Sequence, residues 1–390
     1  MISGRVARSL AEIDRSHWNA LYPGEIEDYD YLRAVEAAGL PGFMWRYALV
    51  EERGRLIAAA PGFITSYSLD TTLGNVGRAL THEIRRLLPG ALTIRLACLG
   101  SPCTETTLFG FSPDLTHEAR GAALRMLISA FEKDAAQAHA GLVAIKDTPE
   151  TLAPILRTIA KPLGYFALPG MPSAYLDIDF ANIEEYISHL SAETRKDMRR
   201  KLRSRTHIRL EWHPDISRHL EQITALYNAT LARADMKFEE LTPEYFQGTL
   251  HNKPNQSICA LYYFADELLA FNLLLHDSHT LLDKYFCMDE RGRVHNLYFL
   301  SWFANIEFCL AHGLKRYQSG QAAYENKLRL KSRLMRTQMF ARHRNPAINA
   351  ALRIAAPLLS GDPVGSMHLK TSTARGADQS PERNSAPGSQ

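Results

Sequence analysis

Apolar positions along this chain recur with two periods, and the points where one period replaces the other mark out its elements. Leu297, Phe299, Leu300, Phe303, Ile306, Phe308 and Leu310 cover most of a helical surface, which predicts a helix buried on more than one side. Gly313 stops that helix. Leu314-Lys315-Arg316-Tyr317 then predicts a short strand that opens into a polar segment, turned by Gly320 and carrying Glu325 and Lys327. Upstream, helical spacing near 10–21 and 28–38 precedes two hairpin strands, W-R-Y-A-L-V-E-E and L-I-A-A-A-P-G-F-I-T-S-Y-S-L, with a turn at Arg53-Gly54. The strand T-I-R-L-A-C-L-G, a helix near 117–139 and the strand L-V-A-I-K follow. Helical patterns between 182 and 252 open a second stretch. They lead into I-C-A-L-Y-Y-F, a turn at Ala265-Asp266-Glu267, L-L-A-F-N-L-L-L and T-L-L-D-K-Y-F-C-M, and then the buried helix and its strand. Both stretches share one plan without visible sequence identity: helices, an antiparallel meander, a crossover helix and a further strand. The expectation is an α+β chain with two mixed sheets, divided near Phe180 into modules at 1–180 and 181–360.

Composition narrows the class. The 390 residues suit two compact domains of about 100 to 200 residues each. Hydrophobic residues make up 46% and charged ones 22%, as in globular enzymes, and the net charge of +3 makes the chain as a whole no polyanion binder. Cys98, Cys103, Cys259, Cys287 and Cys309 are scattered without C-x-x-C spacing, so they read as buried thiols of a reducing compartment rather than as a disulfide framework or a zinc site. The charged N-terminus lacks a signal-peptide core, and no run approaches the roughly 18 apolar residues of a membrane span. A cytoplasmic protein is expected. Residues 361–390 lack aromatic side chains and hold almost no large aliphatic ones, which predicts a disordered tail.

Three constellations carry candidate chemistry. In S-A-E-T-R-K-D-M-R-R-K-L-R-S-R, Ser191 suits a helix start, and Arg195, Arg199 and Arg203 fall at i, i+4 and i+8 on one face. Such a guanidinium row matches phosphates or is a solvated face. On the strand 281–288, period-two alternation puts Asp283, Tyr285 and Cys287 on one side and Lys284, Phe286 and Met288 on the other. Tyr285 is a candidate acid or a core phenol, and Asp283 a candidate proton acceptor. From Gly320 to Lys327, Gly320 permits a close turn, Glu325 is a candidate base or ammonium anchor, and Lys327 a candidate anion holder. No G-x-S-x-G elbow, H-E-x-x-H, Walker loop or strand-borne G-x-G-x-x-G is present, and the histidines lack ligand spacing, so no metal site is expected.

The order Gly313-Leu314, Lys315-Arg316-Tyr317, Gly320, Glu325, Lys327, with Ser191, Arg195 and Arg199 upstream, resembles the FemAB-like, or BioF2-like, branch of the GNAT acyltransferase superfamily. The chain departs from that pattern at Ala322-Ala323-Tyr324, Arg329-Leu330 and Tyr298-Phe299. The resemblance implies two tandem GNAT modules with a substrate cleft near their junction. It implies that the strand holding Asp283 splays from its neighbour to admit a pantetheine arm, and that Arg291, Arg293 and Asn296 receive the donor's phosphates. Arg291-Gly292-Arg293 is a degenerate echo of a CoA-binding loop, and a hairpin turn with solvated ends accounts for it equally. Catalytic roles would fall to Tyr285, Asp283 and Glu325, and substrate contacts to Lys327, Gly320, Arg195, Arg199, Lys284 and Tyr324. Pro61, Ser66, Tyr67 and Ser101-Pro102 lie where the family builds its acceptor pocket. The implied activity is N-acyl transfer to an amine from acyl-CoA or an acyl carrier protein, with no permanently bound cofactor. Two alternatives stand beside it: a donor aminoacyl-tRNA, and a non-catalytic protein that binds an anionic ligand.

Overall fold

The structure, a computed structural model, describes residues 2–68, 93–234 and 237–359. The expected disordered tail and Tyr67's side chain lie outside what it describes. Along the first half run β1 (Ile2–Ala7), α1 (Arg15–Asn19), α2 (Tyr29–Ala37), β2 (Met44–Glu52), β3 (Arg55–Ser68), β4 (Thr93–Leu99), β5 (Gly110–Phe111), α3 (His117–Gln137), β6 (Leu142–Pro149), α4 (Ala153–Ala160) and β7 (Phe166–Pro169). There follow β8 (Ser173–Asp177), α5 (Ile183–His189), α6 (Ala192–Leu202), β9 (Ile208–His213), α7 (Leu220–Ala232), α8 (Pro243–Asn252), β10 (Ser257–Phe264), β11 (Glu267–His276) and β12 (Thr280–Met288). The chain continues through α9 (Leu297–His312), β13 (Arg316–Gly320), α10 (Tyr324–Arg329), β14 (Arg333–Met335), β15 (Thr337–His343) and α11 (Pro346–Leu359).

Two sheets result, in the orders β1-β2-β3-β4-β6-β15-β7 and β14-β8-β13-β12-β11-β10-β9. Each is antiparallel except at one pair, β4 with β6 and β12 with β13, and a long helix, α3 or α9, connects the two members of that pair. Parallel neighbours need such a crossover. The tandem plan is therefore present. The division at 180 does not coincide with the sheets, because β8 lies before it yet joins the second sheet, and β15 returns from the far end of the chain to sit between β6 and β7. Local spacing identifies a strand but carries no information about which distant edge it completes.

Local signals hold where they rest on backbone chemistry. Ser191 caps α6, its hydroxyl accepting from Thr194 N at 3.2 Å. Gly313 ends α9 in the left-handed region at φ 68, a conformation cheap only for glycine. Helix α9 buries Leu297, Leu300, Phe303, Ile306 and Phe308 as its all-round apolar pattern requires. All five cysteines are free and buried, as expected of structural thiols.

Helices α2 and α8 pack across the module junction. Tyr31 Oη lies 2.9 Å from Tyr245 Oη and donates to Cys103 O at 2.7 Å, while Lys253 pairs with Asp28 at 2.8 Å. One hydrophobic cluster, including Tyr31, Tyr47, Tyr245, Phe246 and Phe271, runs through both modules.

Candidate active site at the module junction

The second sheet splits where the resemblance expects. Pairing of β12 with β13 covers only Thr280–Leu282 against Arg316–Gln318, and beyond it Asp283–Met288 hold β11 alone. A bulge accompanies the split: Tyr285 opposes Leu273 and Asp283 opposes Leu274, so Lys284 is an extra residue. Its consequence corrects the face assignment. Asp283 points under α9, whereas Tyr285 and Cys287 join the cluster at the junction and Lys284 reaches the first module.

Under α9, Asp283 Oδ2 accepts from Tyr317 Oη at 2.8 Å, Asn305 Nδ2 at 3.3 Å and Asn272 Nδ2 at 3.4 Å. Burial outweighs these donors and pushes the carboxyl up to about 6. At the mouth, Gly320 turns at φ 85, and a side chain there would lie 3.5 Å from Glu105 Oε1 and 3.8 Å from both Asp283 O and Lys327 Nζ. Lys327 is buried, donates to Ser319 O and to Gly320 O at 3.1 Å, and is lowered to about 8 by that burial. Glu105 belongs to the first module and is tied by Ser173 Oγ and by Gln318 Nε2 at 2.9 Å to Oε2. Glu105 of the first module and Asp283 of the second therefore both favour the charged form of one buried ammonium at the split, without pairing with it directly.

The first sheet treats its equivalent differently. Its parallel pairing ends at Leu99 and Ile145, and Lys146 occupies the space beyond, donating to Ser101 O at 3.0 Å and Thr104 O at 2.6 Å. A side chain on Gly100 would meet Lys146 Cγ at 2.5 Å. This first split is filled from within.

Several expected site residues have other employment. Lys284 pairs with Glu27, donates to Cys103 O at 2.6 Å and sits 4.9 Å from the Tyr31 ring centroid, so it bolts the modules together instead of facing a substrate. Tyr285 packs edge-on against Tyr227, Tyr245 and Phe246 and donates to Glu239 at 3.1 Å; burial raises its phenol far above the usual range. Tyr324 donates to Pro172 O at 2.7 Å, tacking α10 to the start of β8. Glu325 is exposed on the first turn of α10, and the carboxylate beside Gly320 is instead that of Glu105, with Asp283 presenting its main-chain oxygen.

The loop after β12 is charge-balanced. Arg291 makes a bidentate pair with Glu267 at 2.8 and 2.7 Å and also meets Asp289, and Arg293 meets Glu290 at 3.0 Å. Asn296 takes a left-handed φ of 59 and donates to Ser204 Oγ at 2.9 Å instead of capping α9. Arg195 donates to Ser188 O at 3.1 Å and Arg199 pairs with Glu184 at 3.2 Å, both toward α5 on the outer side. Pro61 and Ser101 line a small hollow with Leu32, Val35, Trp45 and Tyr47, and Ser66 is exposed. Sequence reading missed Glu27, Glu105, Lys146, Glu239, Asn272 and Asn305. The apolar context of Asn272 within L-L-A-F-N-L-L-L was a usable signal, since a lone amide in a buried strand needs a partner.

Residues 157–353, just over half of the chain, match the model of the FemAB-like family, described as peptidoglycan biosynthesis/recognition. The chain belongs to the FemAB-like family. A Mycobacterium tuberculosis protein named putative 8-amino-7-oxononanoate synthase 2 is 24% identical to this FemAB-like chain over 333 residues, 83% of the chain and 43% of the relative. The FemAB-like chain thus spans less than half the length of that curated relative. Among solved structures, FemX superposes with a TM-score of 0.57 at 11% identity, covering 90% of this chain and 100% of its own. A tandem GNAT protein from the clavulanic acid biosynthesis pathway gives 0.52 at 12%, covering 89% and 99%. The C-terminal domain of a putative lysylphosphatidylglycerol synthetase from Agrobacterium fabrum gives 0.52 at 14%, covering 90% and 98%. At these identities the structures share the fold, two GNAT modules in tandem. Among the described residues, no helix is long and apolar enough to cross a membrane.

Proposed function

We propose that this chain is an N-acyltransferase whose donor enters the split between β12 and β13 and whose amine acceptor approaches from the junction. The split itself carries the reading: strand pairing ends at Leu282, and Asp283, Glu105 and Lys327 gather around Gly320 at its mouth. The donor is a thioester of CoA or of an acyl carrier protein. In the reaction, the amine nitrogen bonds to the donor carbonyl carbon, the carbon–sulfur bond breaks, and the thiolate takes up the proton that the amine gives up. Asp283 or Glu105 relays that proton, and positioning supplies most of the acceleration. The name of the mycobacterial relative denotes a synthase of an amino ketone. A product of that class bears a primary amine, which makes it a fitting acceptor.

Release of free thiol from a panel of acyl-CoA and carrier thioesters, measured with and without amines, tests the proposal. Amine-dependent release is expected. Saturable filter retention of aminoacyl-tRNA together with inertness toward every thioester would assign the tRNA donor instead.

A pH profile gives a second test. With Asp283 as the relay, kcat/KM should rise through about pH 6, where its carboxyl ionises. With the Lys327 ammonium required, it should fall again above about pH 8. Asp283→Asn should abolish the acid limb, and an unchanged limb in that variant would remove Asp283 from the relay.

A donor whose phosphates reach the Arg195 and Arg199 row has to draw these side chains from Ser188 O and Glu184. Arg195→Ala with Arg199→Ala should then weaken donor binding by about tenfold or more, since each charge-assisted bond contributes about 1.5 to 3 kcal/mol. Unchanged affinity in a folded protein would return the row to a solvated face.

A further inference from the structure

Helix α11 has an unusual outer surface for an element at the edge of a sheet. Its inner side is anchored, with Leu352 and Ala356 on the cluster over the first sheet and Asn349 donating to Gly164 O at 2.9 Å. The opposite arc holds Ala347, Ile348, Ala351 and Ile354, all exposed, with Ile348 at 46% and Ile354 at 76%. A surface helix ordinarily turns polar residues outward. This one does not. Next to Gly164, the turn before the edge strand β7 exposes Leu163 at 38%.

The two segments that form this apolar edge carry charge of one sign. Segments 153–169 and 337–359 contain no Asp or Glu, yet they carry Arg157, Lys161, Arg342, Arg344 and Arg353. Arg342 is paired with Glu132 at 2.7 Å, and Arg157 is hydrogen-bonded to Gln338. Lys161, Arg344 and Arg353 make no ion pair among the described residues. Exposed isoleucines flanked by unpaired cations, with no carboxylate in either segment, match the interfacial zone of a bilayer whose headgroups are anionic. A second copy of the chain would bring the same cations against each other, which opposes self-association through this face.

We infer that α11 and the turn at 161–164 dock on an anionic lipid surface, with Ile348 and Ile354 in the acyl boundary and Lys161, Arg344 and Arg353 at the headgroups. The cluster beneath α11 continues through Phe166, Ala144 and Phe63 to the half-buried rings of Phe43 and Trp45. The contact is peripheral and does not depend on the acyl-transfer reading.

Co-sedimentation of the full chain with vesicles of phosphatidylglycerol, and separately of phosphatidylcholine, tests this inference. At low salt the protein should pellet with phosphatidylglycerol and stay in solution with phosphatidylcholine. High salt should release it, because the headgroup attraction is screened. Ile348→Asn with Ile354→Asn, and independently Arg344→Glu with Arg353→Glu, should each lower the bound fraction about fivefold or more. Both pairs are exposed, so an unchanged melting temperature is expected alongside. Equal pelleting with both lipids, no pelleting with phosphatidylglycerol, or indifference to both variant pairs overturns the inference. So does light scattering that shows a dimer of the free protein which the isoleucine pair converts to monomer.

Discussion

Lys284→Met is expected to lower the unfolding free energy by about 3 kcal/mol at pH 8, because removing one partner of a buried ion pair leaves the other uncompensated. Lys284 and Glu27 are 3% and 6% exposed, and the ammonium also serves Cys103 O and the Tyr31 ring. The penalty should shrink at pH 5. Burial already raises Glu27 from 4.5 to about 7, more than Lys284 pulls it down, so at low pH the stranded carboxyl takes a proton instead of remaining charged. The sign in the unmodified protein follows from the same shift. A carboxyl that holds its proton more tightly when folded adds stability that is complete below about pH 4.5 and lost as pH rises through about 7. Adding Glu27→Gln to Lys284→Met should restore most of the loss. Denaturant midpoints for the single and double variants decide the matter, and a single variant indistinguishable from the parent would show that the pair contributes nothing to the junction.

Lys327→Met should cut the initial rate at least tenfold, about 1.4 kcal/mol of transition-state stabilisation. The ammonium draws Ser319 O and Gly320 O together at the end of β13, directly beside the split, and without it two inward carbonyls lose their donor. The fold should survive, since methionine keeps most of the apolar stem. Lys327→Arg should rescue only in part, because a planar fork does not replace a compact ammonium between two carbonyls. Stability gives an independent readout. Lys327 falls from 10.5 to about 8 on burial, so the native protein sheds its proton first and should gain stability as pH rises between those values, a gain the Met variant must lack. Full activity in the Met variant would remove Lys327 from the site.

What the sequence disclosed and what it hid follow one physical division. Ser191, Gly313 and the all-round apolar face of α9 act through neighbours a few residues away, so their spacing alone located them. Lys284 shows the limit. Alternation along T-L-L-D-K-Y-F-C-M predicts a regular strand, but one extra residue there moves Asp283 to the opposite side from Tyr285, and nothing in the residues themselves signals a bulge. Glu325 was conspicuous because it lies close to Lys327 in sequence, whereas Glu105 reaches Gly320 only through the docking of the two modules. Of the fold, the order of elements was legible and the exchange of β8 and β15 was not. Of the residues that the fold gathers at the split, Gly320 and Lys327 lie close together in sequence and Asp283 on one strand, and so could be singled out, and the partners from the first module were hidden by distance along the chain.

The return of β15 has a consequence for how the chain matures during synthesis. Until residues 337–343 have left the ribosome, β6 and β7 have no strand between them, and two open edges of the first sheet stay exposed while the second module emerges. The N-terminal module therefore cannot finish ahead of the C-terminal one, contrary to the usual vectorial order. Chains arrested between 300 and 336 should be bound by holdase chaperones and cleaved readily within 142–169, and release should come with the last strand.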